Sequence, residues 1–248
     1  MERGSHPGAL SFADYAVIAA AIFAASALQA SIGFGMGMLA APVVALIDPA
    51  LLPGTIILLA LLVTILVTVR ERVDLDLHGA GWALVGRVPG SVVGALLVVA
   101  LPGDSLALLV ATAVLIGVGL ALFGWAPVPG RVSLMTAGAA SGVMGTATSI
   151  GGAPMALIWQ NLDGARLRGT MSAFFMVGSA VSLVVLAAAG AITPAILLLV
   201  AWMAPAAVGG YVVSRYLNRF LDRARLRLVA LTVSGLGAVL LLGQLLFG

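Results

Sequence analysis

The stretch Ser141–Pro154, SGVMGTATSIGGAP, lies inside a long apolar run but has the composition of a poor helix. Four of its fourteen residues are glycine, and a glycine costs about 1 kcal/mol in a helix interior. The hydroxyl side chains of Thr146, Thr148 and Ser149 add polar atoms to the same short segment. In a membrane, a broken helix is tolerated only where it is buried in protein or lines a polar cavity. The stretch is therefore either a tight packing seam or a site.

A second stretch of the same kind, Gln29–Pro42, QASIGFGMGMLAAP, occurs in the first half of the chain. Three blocks of matching residues recur in the same order, at nearly constant offsets of 112, 115 and 116 residues. Such self-similarity is typical of membrane proteins that are built from internal repeats. We therefore predict two homologous halves, residues 1–124 and 131–248, which form a single transmembrane unit. The matched positions include Pro42 and Pro154, Asp48 and Asp163, and Pro89 and Pro205.

The composition sets the class of protein. Of the 248 residues, 62% are hydrophobic and 8% are charged, whereas a soluble protein carries roughly 25% charged residues. Apolar runs of about 18 residues or more favour membrane-spanning helices over a β-barrel. The net charge of +3 comes from arginines in loops and does not indicate nucleic-acid binding. The absence of cysteine excludes disulfides, thiolate chemistry and cysteine metal sites.

Two topologies compete for the apolar segments. If every segment crosses the membrane, the halves are parallel, and the better orientation places seven arginines inside and four outside. If each interrupted segment is a hairpin that enters and leaves on one face, the halves are inverted, with ten arginines inside and only Arg3 outside. The positive-inside rule favours the second arrangement. We therefore predict an all-α polytopic membrane protein of two inverted repeats. Each repeat has one re-entrant helical hairpin and three transmembrane helices, and both termini lie outside.

The inverted arrangement brings the two interrupted tips, residues 31–37 and 145–152, together near the middle of the membrane. A half-helix that begins after a tip directs free amide groups and the positive end of its dipole at that point. We expect Ser149 to be the N-cap residue of the arm 150–160. The result is a small chamber rich in hydrogen-bond donors, which suits a compact anion.

The motif GFGMGMLAAP, residues 33–42, is followed by a second copy rich in glycine, serine and threonine. In a polytopic chain of 248 residues built as two repeats, this pattern resembles the TauE/SafE family of sulfite exporters. The likeness covers nearly the whole chain. The resemblance implies transport of sulfite, organosulfonates or other small sulfur-containing anions across the bacterial inner membrane.

Arg87 lies about eight residues into the apolar segment 79–100, where a buried arginine is costly and usually functional or paired. It either contacts the anion or extends to the cytoplasmic surface, since eight residues of helix span only about 12 Å. Gly86, Gly90 and Gly94 recur every four residues and predict a face for close helix packing. The candidate substrate-binding residues are Gln29, Ser31, Gly33, Phe34, Gly35, Arg87, Thr146, Thr148, Ser149, Gly151 and Gly152.

The chain lacks the residues of an intramembrane enzyme. Apart from Arg87, every Asp, Glu, Arg and His lies at the end of an apolar segment or in a loop, so no catalytic triad or metal site can be assembled. We expect no enzymatic activity, no cofactor and no nucleic-acid partner. The expected partners are a small anion and the lipid bilayer, with a homodimer left open. An anion channel and a membrane assembly or accessory protein without transport are the alternative functions.

Overall fold

A computed structural model describes residues 10–73, 75–123, 128–162, 164–220 and 223–247 of the chain. Regular structure in these ranges is helical throughout, which agrees with the predicted all-α class. A short 3-10 turn at Pro49–Leu51 precedes α3. The α-helices are α1 (Phe12–Ile32), α2 (Met36–Ile47), α3 (Gly54–Arg70), α4 (Leu77–Ala100), α5 (Gly103–Phe123), α6 (Arg131–Thr148), α7 (Gly152–Ile158), α8 (Gly164–Ala188), α9 (Pro194–Phe220) and α10 (Arg223–Phe247).

Four of the described helices are long and apolar enough to cross a membrane: α1, α4, α8 and α9. Within α9 the qualifying stretch is Pro194–Leu217. The shorter helices α2 and α3 and the central part of α5 are apolar as well. Large hydrophobic side chains lie exposed on the outer faces of α4 and α9, among them Leu96 and Trp202. An apolar outer surface of this kind is what a polytopic membrane protein presents to lipid.

The helix breaks are shorter than the sequence analysis predicted. The first turn, Gly33–Gly35, separates α1 from α2, and the second turn, Ser149–Gly151, separates α6 from α7. Gly33 and Gly35 both have positive φ, at 93° and 109°, which glycine adopts without a steric penalty. At each turn the chain doubles back, so that α2 packs on α1 and α7 packs on α6.

The predicted N-cap role of Ser149 is wrong. Ser149 has a left-handed backbone conformation, with φ of 65°, and its amide donates to the Gly145 carbonyl. It therefore closes α6 at its C-terminal end. The arm that follows is also shorter than 150–160, because α7 runs from Gly152 to Ile158 and has Gly151 at its N-cap.

Glycine allows α4 and α6 to pack with their backbones in contact. A β-carbon at Gly86 would overlap the carbonyl of Met135, and one at Gly90 would overlap the carbonyl of Ala139. From the opposite side, a β-carbon at Gly138 would overlap the carbonyl of Ala83. The prediction that Gly86 and its neighbours form a helix-packing face is therefore confirmed.

The helix contacts of the first half are mirrored in the second half. Helix α1 packs on α9 and α4 packs on α6; α2 packs on α10 and α5 packs on α7. If α1 to α5 are matched in order with α6 to α10, each of these pairs is exchanged for its counterpart. The contact between α3 and α8 maps onto itself.

Arginines collect at one end of the bundle. Glu71, just after α3, accepts from Arg70 and from Arg168 of α8, each at 3.1 Å. The Arg70 guanidinium lies 5.2 Å from the centre of the Tyr211 ring on α9, and Arg215 donates to the Tyr211 hydroxyl. The end of α3, the start of α8 and the later part of α9 are thereby held together.

Candidate functional site

The two turns pack directly against each other. Gly37, in the first turn of α2, contacts the second turn so closely that a β-carbon would overlap the Ser149 carbonyl. Across the same contact, the Phe34 ring lies about 3 Å from where a β-carbon at Gly152 would be. Two breaks that are far apart in sequence therefore form one junction.

A cavity of about 40 Å³ lies at this junction. It has room for only a few water-sized molecules or one small ion. The two turns form part of its wall, and residues of α3, α4 and α8 form much of the rest. The residues lining it are Gln29, Phe34, Gly35, Met36, Gly37, Met38, Ile56, Ile57, Ala60, Arg87, Gly145, Ser149, Ile150, Gly151, Gly152, Phe175 and Ser179.

Arg87 provides the positive charge of the cavity. It lies near the middle of α4 and is only 3% exposed, so it does not extend to the cytoplasmic surface. Its Nη1 donates to the Ser141 hydroxyl at 2.7 Å and to the Ser141 carbonyl at 3.3 Å. The guanidinium lies 5.0 Å from the centre of the Phe174 ring and 5.3 Å from that of Phe175. Space for it exists because α8 has Gly178 here, where a β-carbon would overlap Nε.

The charge on Arg87 has no carboxylate partner among the described residues. The ion pairs there are those of Glu71 with Arg70 and Arg168, at the end of the bundle. The Nε of Arg87 is buried and makes no hydrogen bond to the described part of the chain. An uncompensated buried charge costs several kcal/mol, while a bound counter-ion removes much of that cost. The geometry therefore favours an anion in the cavity.

Each hairpin is fastened across its own turn by one polar side chain. The Gln29 Oε1 accepts from the Met36 amide at 3.3 Å in the first hairpin. In the second, the Ser141 hydroxyl donates to the Gly151 carbonyl at 2.6 Å. Gln29 and Ser141 lie 112 residues apart, which is the offset that also separates Pro42 from Pro154. Ser141 differs in that it also holds Arg87.

The start of α2 adds backbone donors to the cavity wall. Met36, Gly37 and Met38 all line the cavity and form the first turn of the helix. Amides of a first helical turn have no acceptor within the helix, and the positive end of the helix dipole lies there. The Met36 amide is occupied by Gln29, which leaves Gly37 and Met38 as the backbone donors of this turn.

Seven of the eleven predicted site residues line this single cavity, and four lie outside it. The seven are Gln29, Phe34, Gly35, Arg87, Ser149, Gly151 and Gly152. The four are Ser31, Gly33, Thr146 and Thr148.

Local contacts explain where the four outlying residues lie. Thr148 bonds back to the Met144 carbonyl at 2.6 Å, as buried helical hydroxyls often do. Thr146 pairs with the Ser182 hydroxyl of α8 at 2.7 Å. Gly33 turns the chain against the start of α8, and the Ser31 hydroxyl is buried within the described part of the chain without a hydrogen-bond partner. Ser149 lines the cavity, but its hydroxyl donates to the Pro53 carbonyl at 3.1 Å.

Sequence reasoning missed the walls that α3 and α8 contribute. Ile56, Ile57 and Ala60 belong to an ordinary apolar helix, and nothing in their spacing separates them from core or lipid-facing residues. Phe175 and Ser179 of α8 have the same character. Gly145 and Met36 do have a signal, since both lie within or beside the interrupted stretches.

The fold and the site together define a class: a polytopic helical membrane protein with a small internal cavity that holds one buried, unneutralised cation. The sulfite exporter TauE/SafE family model matches residues 18–241, and the chain belongs to that family. The resemblance given by the two glycine-rich motifs is thus confirmed. This family consists of membrane transporters for sulfur-containing anions such as sulfite and is not enzymatic. No curated protein and no solved structure matches the chain.

Proposed function

We propose that this protein carries a small sulfur-containing anion, sulfite or a small organosulfonate, across the bacterial inner membrane. The binding site is the cavity between the two turns, and the Arg87 guanidinium is its main anion-binding group. The backbone of Gly37 and Met38 and the second turn, Ser149–Gly151, complete the site.

The observation that carries this proposal is the state of Arg87. A guanidinium that is 3% exposed and has no carboxylate partner in the described residues is an expensive feature to keep in an apolar bundle. The phenylalanine rings beneath it stabilise the cation but leave its charge uncancelled. A structural arginine would be expected to have an acid beside it, whereas a substrate site needs the charge to be available.

The direction of the hairpins supports the inverted topology. The Arg70 Nη2 donates to the Ala30 carbonyl at 2.8 Å, so α1 ends where α3 ends. Helix α6 begins at that same end, because Arg131 stacks on Trp82 near the start of α4, 5.0 Å from the ring centre. The first arms of the two hairpins therefore run in opposite directions, as inverted halves 1–124 and 131–248 require.

The same end of the bundle supports the orientation. Arg70, Arg131, Arg168 and Arg215 all lie there, and the positive-inside rule makes that end cytoplasmic. The start of α1 and the end of α10 then lie outside, as the inverted topology predicts. Arg3, and the side chains of the basic run from Arg219 to Arg227, lie outside the residues that the structure describes.

Anion-dependent thermal stabilisation of the purified protein tests the proposal. Because a ligand that binds only the folded state raises the melting temperature, sulfite and methanesulfonate should both shift melting upward. Chloride at the same concentration and ionic strength is the control. If neither sulfur-containing anion shifts melting more than chloride does, the proposed substrate class is wrong.

A further inference from the structure

The cavity contains a single formal charge. Arg87 is the one ionisable side chain among the residues that line it. Two helices pack on this part of α4, namely α6 and α8. The residues they direct toward the guanidinium are Ser141, Gly145, Phe174, Phe175 and Gly178, none of which titrates. Before a ligand binds, the site thus carries one positive charge at any pH near neutrality.

From this charge inventory we infer that the site, if it binds sulfur-containing anions as proposed, selects anions with a single negative charge and an apolar or protonated fourth substituent. Hydrogen sulfite and short alkanesulfonates have this chemistry. Sulfate, which has the same tetrahedral shape and two charges, is rejected. This inference rests on the proposed function and adds the charge state of the substrate to it.

Electrostatics favours the single charge. One negative charge neutralises Arg87 and ends the cost of an isolated buried cation. A bound dianion would leave the site with a net charge of −1 in place of +1. It would also lose more hydration than a monoanion on entering the cavity. The described lining offers it no second cation. The remaining donors of the lining, the Gly37 and Met38 amides among them, are neutral groups, and the Ser149 hydroxyl already donates to the Pro53 carbonyl.

The rest of the wall is suited to a substituent that needs no hydrogen bonds. Ile56, Ile57, Ala60 and the rings of Phe34 and Phe175 line the cavity. A methyl group or a weakly polar S–H bond loses little when it faces such a surface, whereas a hydroxyl or a charged oxygen there would be left without a hydrogen bond. The volume of about 40 Å³ suits a short substituent.

Equilibrium binding of methanesulfonate and sulfate to the purified full-length protein tests the inference. The two ions have nearly the same size and differ by one charge. We expect methanesulfonate to bind at least tenfold more tightly than sulfate at equal ionic strength. Sulfate binding that equals or exceeds methanesulfonate binding would overturn the charge rule while leaving the proposed function intact.

A pH series with sulfite supplies a second measurement on the same protein. The second proton of sulfite dissociates near neutral pH, so lowering the pH from 8 to 6 converts the dianion to hydrogen sulfite. The apparent affinity for sulfite should rise by roughly the increase in that fraction, while methanesulfonate affinity stays constant. A sulfite affinity that is flat or falls toward pH 6 would also overturn the charge rule. If neither sulfur-containing anion binds better than chloride, the proposed function itself fails.

Discussion

The two turns at the centre of the molecule both interrupt a helix, but they differ in the side-chain hydrogen bonds that hold them. The first turn has glycines at both positive-φ positions and is fastened by Gln29, whose side chain accepts from the Met36 amide of the same hairpin. The second turn is fastened by Ser141, which also holds Arg87 of α4. Under the repeat offset of 116 residues, the counterpart of Arg87 on α9 is Met203, a buried apolar residue.

This difference separates the shape of the site from its charge. The α1–α2 hairpin and the α6–α7 hairpin each contribute a broken helix and a close contact, so both hairpins shape the cavity. Only the first half contributes the cation, and only the second half contributes the hydroxyl that orients it. Separate substitutions can therefore remove the charge and the shape of the site independently.

Replacing Arg87 by methionine makes α4 resemble α9 and removes the charge alone. We expect the affinity for methanesulfonate to fall at least about thirtyfold, because losing one partner of a buried charge pair costs about 2 kcal/mol or more. Melting of the ligand-free protein should stay the same or rise, since an isolated buried charge is removed. Thermal shift with and without the anion measures both effects.

Arg131→Met is the matched control for this change. Arg131 stacks on Trp82 at the end of the bundle, away from the cavity. The control should retain the affinity of the wild type. An Arg87→Met protein with wild-type affinity would show that the asymmetry between α4 and α9 has no role in binding.

Replacing Gly37 by alanine changes the packing of the two turns and leaves the charge of the site unchanged. The new β-carbon would overlap the Ser149 carbonyl, and such overpacking costs about 1–3 kcal/mol. Gly81→Ala, in α4, is the control, because no heavy atom outside the local helix lies within 4 Å of the new β-carbon. Because alanine has a higher helix propensity than glycine, Gly81→Ala should leave the stability unchanged or raise it. Equal melting temperatures for the two variants would argue against close contact between the turns.

The two fastening residues should differ in their effect on binding. Ser141→Ala removes a hydrogen bond to a charged group, worth about 1.5 kcal/mol or more, so anion affinity should fall about tenfold. Gln29→Ala removes one long hydrogen bond to a neutral amide, and affinity should change less than about threefold. Titration calorimetry with methanesulfonate compares them. If Gln29→Ala proved the more damaging variant, the first turn would be the main binding element.

The smallest effect is expected at the arginine-rich end. Glu71→Gln removes two ion pairs: one with its neighbour Arg70, and one with Arg168 that joins the end of α3 to α8. The side chains are 14–16% exposed, so the loss should be at most about 1 kcal/mol and should shrink as salt is added. Anion affinity should stay within a factor of two of the wild type. Melting curves at low and high salt, and one binding isotherm, measure these effects.

The sequence revealed the breaks because glycine and hydroxyl residues in an apolar run conflict with helix propensity. Gly33 and Gly35 do lie at the first turn, and Gly151 lies in the second. The role of Ser149 cannot be read from the sequence, because a serine at a helix boundary can close one helix or begin the next. Only the left-handed backbone of this residue decides between them.

The position of Arg87 could not be read from the sequence. Its burial depends on Gly178, 91 residues later, where the absence of a side chain makes room for the guanidinium. The hydroxyls of Thr146 and Thr148 posed a similar problem, because bonding to a substrate and bonding to nearby helix atoms require the same residue types. The role of each of these side chains depends on contacts between helices that are far apart in the sequence. The local sequence pattern does not reveal those contacts.

Sulfite flux through proteoliposomes tests most directly whether the two packed turns form an anion site around Arg87. Vesicles with the wild-type chain and with Arg131→Met should release trapped sulfite at comparable rates, well above protein-free vesicles. Vesicles with Arg87→Met, at equal protein density, should release it at the protein-free rate. Flux through Arg87→Met that matched the wild type would contradict the account.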